Sequence, residues 1–306
     1  MLKRPIIIDT DPGIDDAAAL AIALFSDKLD VKLITTIAGN VGVDKVTDNA
    51  LKLLTFFNKN IPVAVGVNDP LIVAFEDASN VHGQSGMDGY DFDEPAQELL
   101  LDEHAVNAMR RTIMDSDVPI TLVPIGPLTN IALLLKMYPE VKGNIDEIVL
   151  MGGSVTRGNK GVMSEFNIAT DPEAAKIVFN SGVPIAMAGL DVGWKALVHP
   201  EECNLLKDMN KTGNMIHSLF QHYRGGSMKT GLRMYDACAI AYLLKPEMFE
   251  IVDTFVDIEL NGSLTAGCTV VDLKGYLKKP NNAKVCLDLD PQMFKEWFID
   301  SFKACD

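Results

Sequence analysis

The feature that most constrains this chain is the alternation of short apolar runs with longer amphipathic segments over its first 190 residues. The runs are apolar throughout, which is typical of strands buried on both faces of a parallel sheet. Helices between successive strands supply the crossovers that parallel pairing requires. The strands are expected at residues 6–8, 31–38, 62–66, 120–124, 147–151 and 184–188. The helices are expected at 16–25, 44–58, 98–114, 128–137 and 172–180.

The pattern changes after about residue 200. Helices are predicted at 201–210, 214–223, 236–244 and 291–303, and strands at 255–260, 269–273 and 284–289. No low-complexity linker and no internal repeat divides the sequence. We therefore expect an α/β fold with a Rossmann-like, open, mostly parallel sheet, helices on both faces, and smaller C-terminal helical and strand additions. Residues 1–306 are expected to form a single domain.

The charge balance narrows the class of partner. The chain has 27 Lys and Arg against 42 Asp and Glu, a net charge of −15. This disfavours nucleic acid and anionic membranes, which bind clustered cations. It is compatible with an uncharged ligand or a divalent cation. The five cysteines are scattered, and the longest apolar run, residues 17–25, is far too short for a membrane span, so we expect a cytoplasmic protein.

The densest chemical signal follows the first predicted strand, where four acids fall within eight residues: Asp9, Asp11, Asp15 and Asp16. Pro12 and Gly13 allow the sharp turn that brings the carboxylates together at the carboxyl end of the strand, where ligands bind in open α/β sheets. Converging carboxylates repel one another unless a cation neutralises them. Oxygen ligands without His or Cys select Ca²⁺ or Mg²⁺. The alternative is that Asp15 and Asp16 serve only as acids at a helix start, with Asp9 and Asp11 on a solvated turn.

An apolar strand that ends in Asp-x-Asp is also typical of haloacid-dehalogenase-type phosphatases, in which the first acid is the nucleophile. That family places Thr or Val two residues after the second Asp, whereas this chain has Gly13 there. It also leaves the pair Asp15 and Asp16 without a role. The phosphatase interpretation is therefore the weaker one.

Residues 9–16 resemble the N-terminal signature of the inosine–uridine-preferring nucleoside hydrolases, which cleave the N-glycosidic bond of ribonucleosides with a tightly bound Ca²⁺. Six further blocks match in order: 35–40, 81–87, 124–130, 149–153, 165–175 and 236–239. Residues 224–234, with the block around His82, are most similar to the bacterial non-specific ribonucleoside hydrolases. The resemblance covers nearly the whole chain.

The resemblance implies a metal site and a base. Asp11, Asp16, Asp236 and the main-chain carbonyl of Ile125 would ligate Ca²⁺, and Asp11 would accept the proton of the attacking water. Loss of a nucleobase passes through an oxocarbenium-like sugar and needs a water on the opposite face. A bound Ca²⁺ can orient the ribose diol and lower the pKa of a water. The implied activity is release of free base and ribose from purine or pyrimidine ribonucleosides.

By the same resemblance, six residues would bind the substrate: Asp15, Asn40, Met151, Asn159, Glu165 and Asn167. Acids and amides suit a neutral polyol, because an unpaired hydroxyl in a closed site is costly. Taken without the other blocks, Glu165 and Asn167 are better explained as a polar loop before a capped helix. Asn159 lies in a sequence that by itself indicates a flexible turn.

The resemblance assigns the residues near the leaving base less firmly than the metal and ribose ligands. His82 lies in a glycine-rich segment, which favours a role near the base over a place in the core. Many purine-cleaving relatives have histidine before the metal-binding aspartate, whereas this chain has Tyr235, a poorer proton donor at neutral pH. The base preference and the identity of the leaving-group acid are left open, with His82 and Tyr235 as candidates. Residues 222–231 fit a mobile lid that contacts the base and an exposed connection equally well.

Two further expectations complete the sequence interpretation. A catalytically weak nucleoside- or ribose-binding protein, which keeps the sugar ligands and lacks the acid, is the alternative to a hydrolase. Asp11 argues against it, because a pure binder has no need of a base. Assembly as a homo-oligomer, either a tetramer or a dimer, is an expectation from the family resemblance alone.

Overall fold

The computed structural model describes residues 3–306 and is built around one eight-stranded sheet with the strand order β3-β2-β1-β4-β5-β6-β12-β9. All neighbours in this sheet are parallel except β12 and β9. Two small antiparallel pairs, β7–β8 and β10–β11, lie outside it. The strands are β1 Arg4–Thr10, β2 Leu29–Thr36, β3 Val63–Val65, β4 Ile120–Pro124, β5 Ile145–Met151, β6 Ile185–Ala188, β7 Leu197–Val198, β8 Leu232–Arg233, β9 Phe249–Thr254, β10 Val256–Ile258, β11 Thr269–Val271 and β12 Ala283–Leu289.

Helices connect these strands and cover both faces of the sheet. None of the helices in residues 3–306 is both long and apolar enough to cross a lipid bilayer. The helices are α1 Ile14–Phe25, α2 Val43–Phe57, α3 Ser79–His82, α4 Ala105–Met114, α5 Thr129–Met137, α6 Phe166–Thr170, α7 Pro172–Phe179, α8 Leu190–Gly193, α9 Pro200–Lys207, α10 Lys211–Phe220, α11 Tyr235–Leu244 and α12 Pro291–Phe302. Short 3₁₀ segments lie at Gln97–Leu99, Pro139–Asn144, Tyr223–Gly226 and Pro246–Met248.

The central strand β1 is buried on both faces. Ile6 and Ile8 belong to the hydrophobic core that includes residues of α1, α10, α11 and α12, whereas Ile7 belongs to the core on the opposite face, with residues of α4, α5 and α7. Side chains alternate across a strand, so a run of three isoleucines contributes to both cores. The predicted α/β fold, with a mostly parallel sheet and helices on both faces, is confirmed.

Two predictions about elements are wrong in part. The strand at 284–289 was expected as an addition, but β12 joins the main sheet and pairs with β9, a strand that the sequence did not predict. The helix expected at 98–114 is broken between Leu99 and Ala105. Leu100 forms a parallel bridge with Val63, and this tertiary pairing holds the backbone extended where local propensity favours helix.

The order of the strands fixes where a ligand site can form. β1 lies between β2 and β4, so the chain leaves it on one side and later returns on the other. In an open α/β sheet, a crevice opens at such a reversal, outside the carboxyl ends of the strands. The acids that follow β1 therefore lie in that crevice.

A buried polar network fastens β1 to its neighbours at this edge. The Asn130 side-chain amide donates to the Asp9 carboxylate (2.9 Å) and to the Thr36 carbonyl (3.0 Å), and its oxygen accepts from the Val67 N–H (3.1 Å). The Thr35 hydroxyl also donates to Asp9 (2.5 Å). The start of α5 is thus tied to β1, to β2 and to the loop after β3.

We expect Asn130→Ala to lower the free energy of unfolding by roughly 2–4 kcal/mol, because it leaves buried hydrogen-bonding partners unpaired. Urea denaturation measures the change. The matched control is Asn107→Ala on the exposed side of α4, where the side chain accepts a hydrogen bond from the Tyr138 hydroxyl, and it should change stability by less than about 0.5 kcal/mol. Equal losses in the two variants would contradict the importance of this network.

Candidate active site

A cavity of about 240 Å³ opens at the carboxyl ends of β1, β4 and β5. It brings together residues that are far apart in the sequence. Of the residues predicted for the site, all but Asp16 line the cavity, and Asp16 is fully buried beside it. The predicted residues on the wall are Asp11, Asp15, Asn40, His82, Ile125, Met151, Asn159, Glu165, Asn167, Tyr235 and Asp236.

The turn between β1 and α1 concentrates the acids. Asp16 accepts hydrogen bonds from the Thr10 hydroxyl (2.7 Å) and the Gly13 N–H (2.9 Å), so it caps the start of α1. Gly13 is required by a close approach, because a Cβ there would lie 2.5 Å from the His82 ring. The interpretation of Asp16 as a helix-start acid is therefore correct as far as it goes. It does not account for the other acids, which point to the same place.

Three carboxylates form the tightest group: oxygens of Asp15, Asp16 and Asp236 lie within 4.8 Å of one another, and all three side chains are buried. The set implied by the resemblance has Asp11 where this group has Asp15. Asp11 lies at the edge of the group, where its carboxylate accepts the Asn40 N–H (2.7 Å). The Asn40 amide also donates to Asp16 (3.1 Å) and thus links the two acids.

The group carries more negative charge than the protein neutralises. Burial, reinforced by the charge of Asp16, raises the pKa of Asp15 to about 7 and that of Asp11 well above its ordinary value. Burial and then the charge of Asp15 do the same to Asp236. Within residues 3–306, no lysine or arginine pairs with any of these acids within 4.0 Å.

This environment fits a divalent cation. Several buried carboxylates without a cationic partner destabilise the fold unless a cation or protons neutralise them. The donor atoms are all oxygens, the ligands of hard cations such as Ca²⁺ and Mg²⁺. The Ile125 carbonyl adds a neutral oxygen at the same cavity, where it also accepts the Asn167 amide (2.9 Å).

The opposite wall is built from the segment before α6. Glu165 caps that helix, since its carboxylate accepts the N–H groups of Asn167 (3.0 Å) and Ile168 (3.2 Å), and it also accepts the Gly153 N–H (3.0 Å). Burial raises the pKa of Glu165 to about 7. The capped-helix interpretation of this segment is therefore correct, and the same residues also face the cavity.

Two amides on this wall are held in place by main-chain groups. The Asn167 amide donates to the carbonyls of Ile125 and Met151 (3.1 Å for the latter), which fixes the side chain between β4 and β5. The Asn159 oxygen accepts the Phe166 N–H (2.8 Å), so its NH₂ group remains for another partner. The turn that carries Asn159 is therefore anchored to α6.

The third wall holds the residues expected near a leaving group. The Nδ1 of His82 accepts the Ile14 N–H (3.2 Å), so the neutral ring carries its proton on Nε2. Burial, assisted by the charge of Arg224, lowers the pKa of His82 to about 3. Burial also raises the pKa of Tyr235 above its ordinary value. Neither residue is a charged proton donor at neutral pH.

Residues to which the sequence analysis gave no individual role also line the cavity, and two of them, Tyr223 and Arg224, come from the candidate lid at 222–231. Tyr223 was predicted as the end of a helix at 214–223, but α10 ends at Phe220 and Tyr223 is buried against the cavity. Its ring centroid lies 5.3 Å from that of His82. Arg224 follows it in a left-handed conformation, and the doublet Gly225–Gly226 was the only local signal of this turn. The other unassigned residues on the wall include Asp77, Asn80 and Lys160.

We expect Ca²⁺ to raise the melting temperature more at pH 8 than at pH 5.5. A carboxyl whose pKa is raised by folding contributes stability below its ordinary pKa and loses it as the pH rises through about 7, the value for Asp15. A cation replaces the protons, so its stabilising effect grows over this range. At about 100 times the dissociation constant it is worth about 2.7 kcal/mol. Differential scanning calorimetry with Ca²⁺ or chelator measures the shift.

The Asp236→Asn variant sharpens this test. Loss of one repelling charge should stabilise the metal-free protein at pH 8 and remove most of the Ca²⁺ shift. Asp48→Asn, on the surface and paired with Lys52, is the matched control and should keep the shift of the unmodified chain. A Ca²⁺ shift that is the same at both pH values, or that persists in Asp236→Asn, would contradict the assignment.

Comparison with known proteins agrees with this geometry. A family model described as inosine-uridine preferring nucleoside hydrolase matches residues 6–296. The chain is 55% identical over 300 residues to the non-specific ribonucleoside hydrolase RihC of Salmonella heidelberg (strain SL476), covering 98% of this chain and 97% of that protein. It is also 55% identical over 297 residues to RihC of Salmonella typhi, covering 97% of each.

Solved structures agree over the whole length. The purine-preferring ribonucleoside hydrolase from Gardnerella vaginalis superposes with a TM-score of 0.89 at 28% identity, covering 99% of both chains. An inosine-guanosine nucleoside hydrolase superposes with a TM-score of 0.91 at 27% identity, again over 99% of both chains. The motif resemblance is confirmed, and the chain belongs to the inosine-uridine preferring nucleoside hydrolases, a metal-dependent family of N-glycosyl hydrolases.

Proposed function

We propose that this protein is a Ca²⁺-dependent ribonucleoside hydrolase that releases free base and ribose. The observation that carries the proposal is the group of four buried acids, Asp11, Asp15, Asp16 and Asp236, at a cavity whose other wall is lined by amides and Glu165. Such a cavity suits a cation together with a neutral polyol. The first and last strands of the eight-stranded sheet, β1 and β12, begin at residue 4 and end at residue 289, so the sheet draws on nearly the whole chain, which supports a single domain.

Asp11, Asp16, Asp236 and the Ile125 carbonyl would hold the cation. The oxygen of Asp15 lies close enough to two of these acids to join them or to bind the sugar beside them. When bound, Ca²⁺ supplies a Lewis acid that lowers the pKa of a water and draws the ribose diol toward the acids. The preference for Ca²⁺ over Mg²⁺ is inferred from the family resemblance.

The sugar would lie between the acids and the wall before α6. Glu165 and Asn167 offer oxygen acceptors on side chains that main-chain groups hold in place, so they lose little freedom when a hydroxyl binds. Asp15 adds a carboxylate on the cavity wall. The free NH₂ group of Asn159 can reach a further hydroxyl. Asn40 and Met151 complete the wall around the sugar.

Asp11 is suited to the role of general base. The Asn40 N–H fixes one carboxylate oxygen, which orients the side chain, and burial raises its pKa toward the range in which a carboxylate accepts protons at neutral pH. The proton of the attacking water would pass to Asp11 as the oxygen bonds to the anomeric carbon. Before that bond is complete, the departing base takes the electron pair of the glycosidic bond and leaves an oxocarbenium-like charge on the sugar, which the surrounding acids would stabilise.

Two other functions were open from the sequence. A catalytically weak binder would bind uridine and release no reducing sugar, so a reducing-sugar assay separates it from a hydrolase. The phosphatase interpretation predicts turnover of phosphate esters with Mg²⁺, and the family match gives it no support. A cytoplasmic location and assembly into a homo-oligomer remain predictions from the sequence and the family resemblance.

We expect Asp11→Asn to lower kcat for uridine by about 10³-fold with a smaller effect on KM, because it removes the proton acceptor and keeps an oxygen for the Asn40 N–H. Release of reducing sugar measures the rate. Asp48→Asn is the matched surface control and should keep full activity. Unmodified protein that binds uridine and releases no ribose would contradict the hydrolase proposal, and an active Asp11→Asn variant would contradict the role of the base.

A further inference from the structure

Arg224 is a cation at the cavity wall with no role in the proposed mechanism. Among the described residues, it shares the wall with one other basic side chain, Lys160, which pairs with Glu76 at 2.6 Å. Arg224 itself pairs with no carboxylate of residues 3–306 within 4.0 Å. Its guanidinium is therefore free to meet a ligand.

The local backbone and two aromatic rings aim this side chain at the cavity. Arg224 has φ 52° and ψ 42°, the left-handed conformation that a bulky residue rarely adopts, and Gly225 continues the turn with φ 67°. The guanidinium lies 5.8 Å from the Tyr223 ring centroid and 5.9 Å from that of Tyr235. Cation–π attraction to the two rings holds it there.

The reaction needs positive charge where the base leaves. As the bond between the anomeric carbon and the base nitrogen breaks, its electron pair moves onto the base. His82 is held as a neutral ring by the Ile14 N–H, and Tyr235 offers an uncharged hydroxyl. A guanidinium is permanently charged and carries five N–H donors, so it stabilises a developing anion without giving up a proton.

We propose that the Arg224 guanidinium contacts the nucleobase, stabilises it as it departs, and makes the enzyme prefer bases with carbonyl acceptors. The inference rests on the proposed hydrolase function. The bond from the anomeric carbon to the base breaks with its electron pair going to the base, water forms the new bond to carbon, and Asp11 takes the water proton. The base anion is then protonated from solvent, and Arg224 keeps its protons.

The preference follows from the donor-only character of arginine. Hypoxanthine and guanine present two acceptors, O6 and N7, on one edge, which a guanidinium binds with two parallel hydrogen bonds. Adenine replaces O6 by an amino donor, which meets another donor and leaves one group unpaired. The same contrast separates uracil from cytosine. Arg224 is thus assigned as a specificity-determining residue for oxo bases.

The test compares Arg224→Met and Arg224→Lys with the unmodified enzyme on inosine, adenosine, uridine, cytidine and 4-nitrophenyl riboside. The last substrate releases a stable phenolate and needs no help at the leaving group. We expect Arg224→Met to lower kcat/KM for inosine and uridine by about 10²-fold. Activity on 4-nitrophenyl riboside should fall by less than about threefold, and the inosine-to-adenosine ratio should approach one. Arg224→Lys keeps the charge and loses the two-pronged geometry, so it should recover part of the rate and little of the ratio.

Arg110→Met is the matched control, because Arg110 also lies over a tyrosine ring (4.8 Å from Tyr138) but far from the cavity. It should leave all five activities unchanged. Equal losses for Arg224→Met on every substrate, including 4-nitrophenyl riboside, would overturn the inference, as would an unchanged rate on inosine. If the unmodified enzyme cleaves none of the five substrates, the proposed function itself fails, which is a different result from either of these.

Discussion

The repulsion among buried carboxylates at the end of β1 is the constraint on which the site depends. Four acids from two distant parts of the chain lie around one point, and burial raises the pKa of each. The surrounding N–H donors, such as those of Gly13 and Asn40, offset part of this cost. The negative charge that these donors do not offset would be neutralised by a bound cation. A sheet this well packed can tolerate such a group because its two hydrophobic cores lie on either side of the buried strand β1.

The same residues serve the fold and the site at once. Asp16 caps α1 and also belongs to the acid group, and Glu165 caps α6 and also lines the cavity. Capping fixes the orientation of each carboxylate before any ligand binds. The side chains therefore lose little conformational entropy on binding. This double use also explains why the sequence supported both a structural and a functional interpretation of these residues.

Much of the fold was predictable because its signals are local. The strand at 120–124 is observed with the predicted ends, and the other parallel strands differ by only a few residues. The strand β9 was missed because its apolar residues are interrupted by acids and it gains its place only by pairing with β12. The break before α4 likewise depends on the contact between Leu100 and Val63, which lies outside any local window.

The sequence predicted which residues meet at the cavity, but it did not predict how their side chains are grouped there. The motifs gave the residues that converge, but the grouping of Asp15 with Asp16 and Asp236 depends on side-chain directions that the sequence does not encode locally. The places of Tyr223 and Arg224 depend on a left-handed turn past the end of α10.

The most direct test of the calcium site is a crystal structure of the protein grown with Ca²⁺. We predict a single calcium peak at about 2.3–2.6 Å from oxygens of Asp11, Asp16, Asp236 and the Ile125 carbonyl, whereas acids that stay close together around no cation at saturating Ca²⁺ would contradict this assignment.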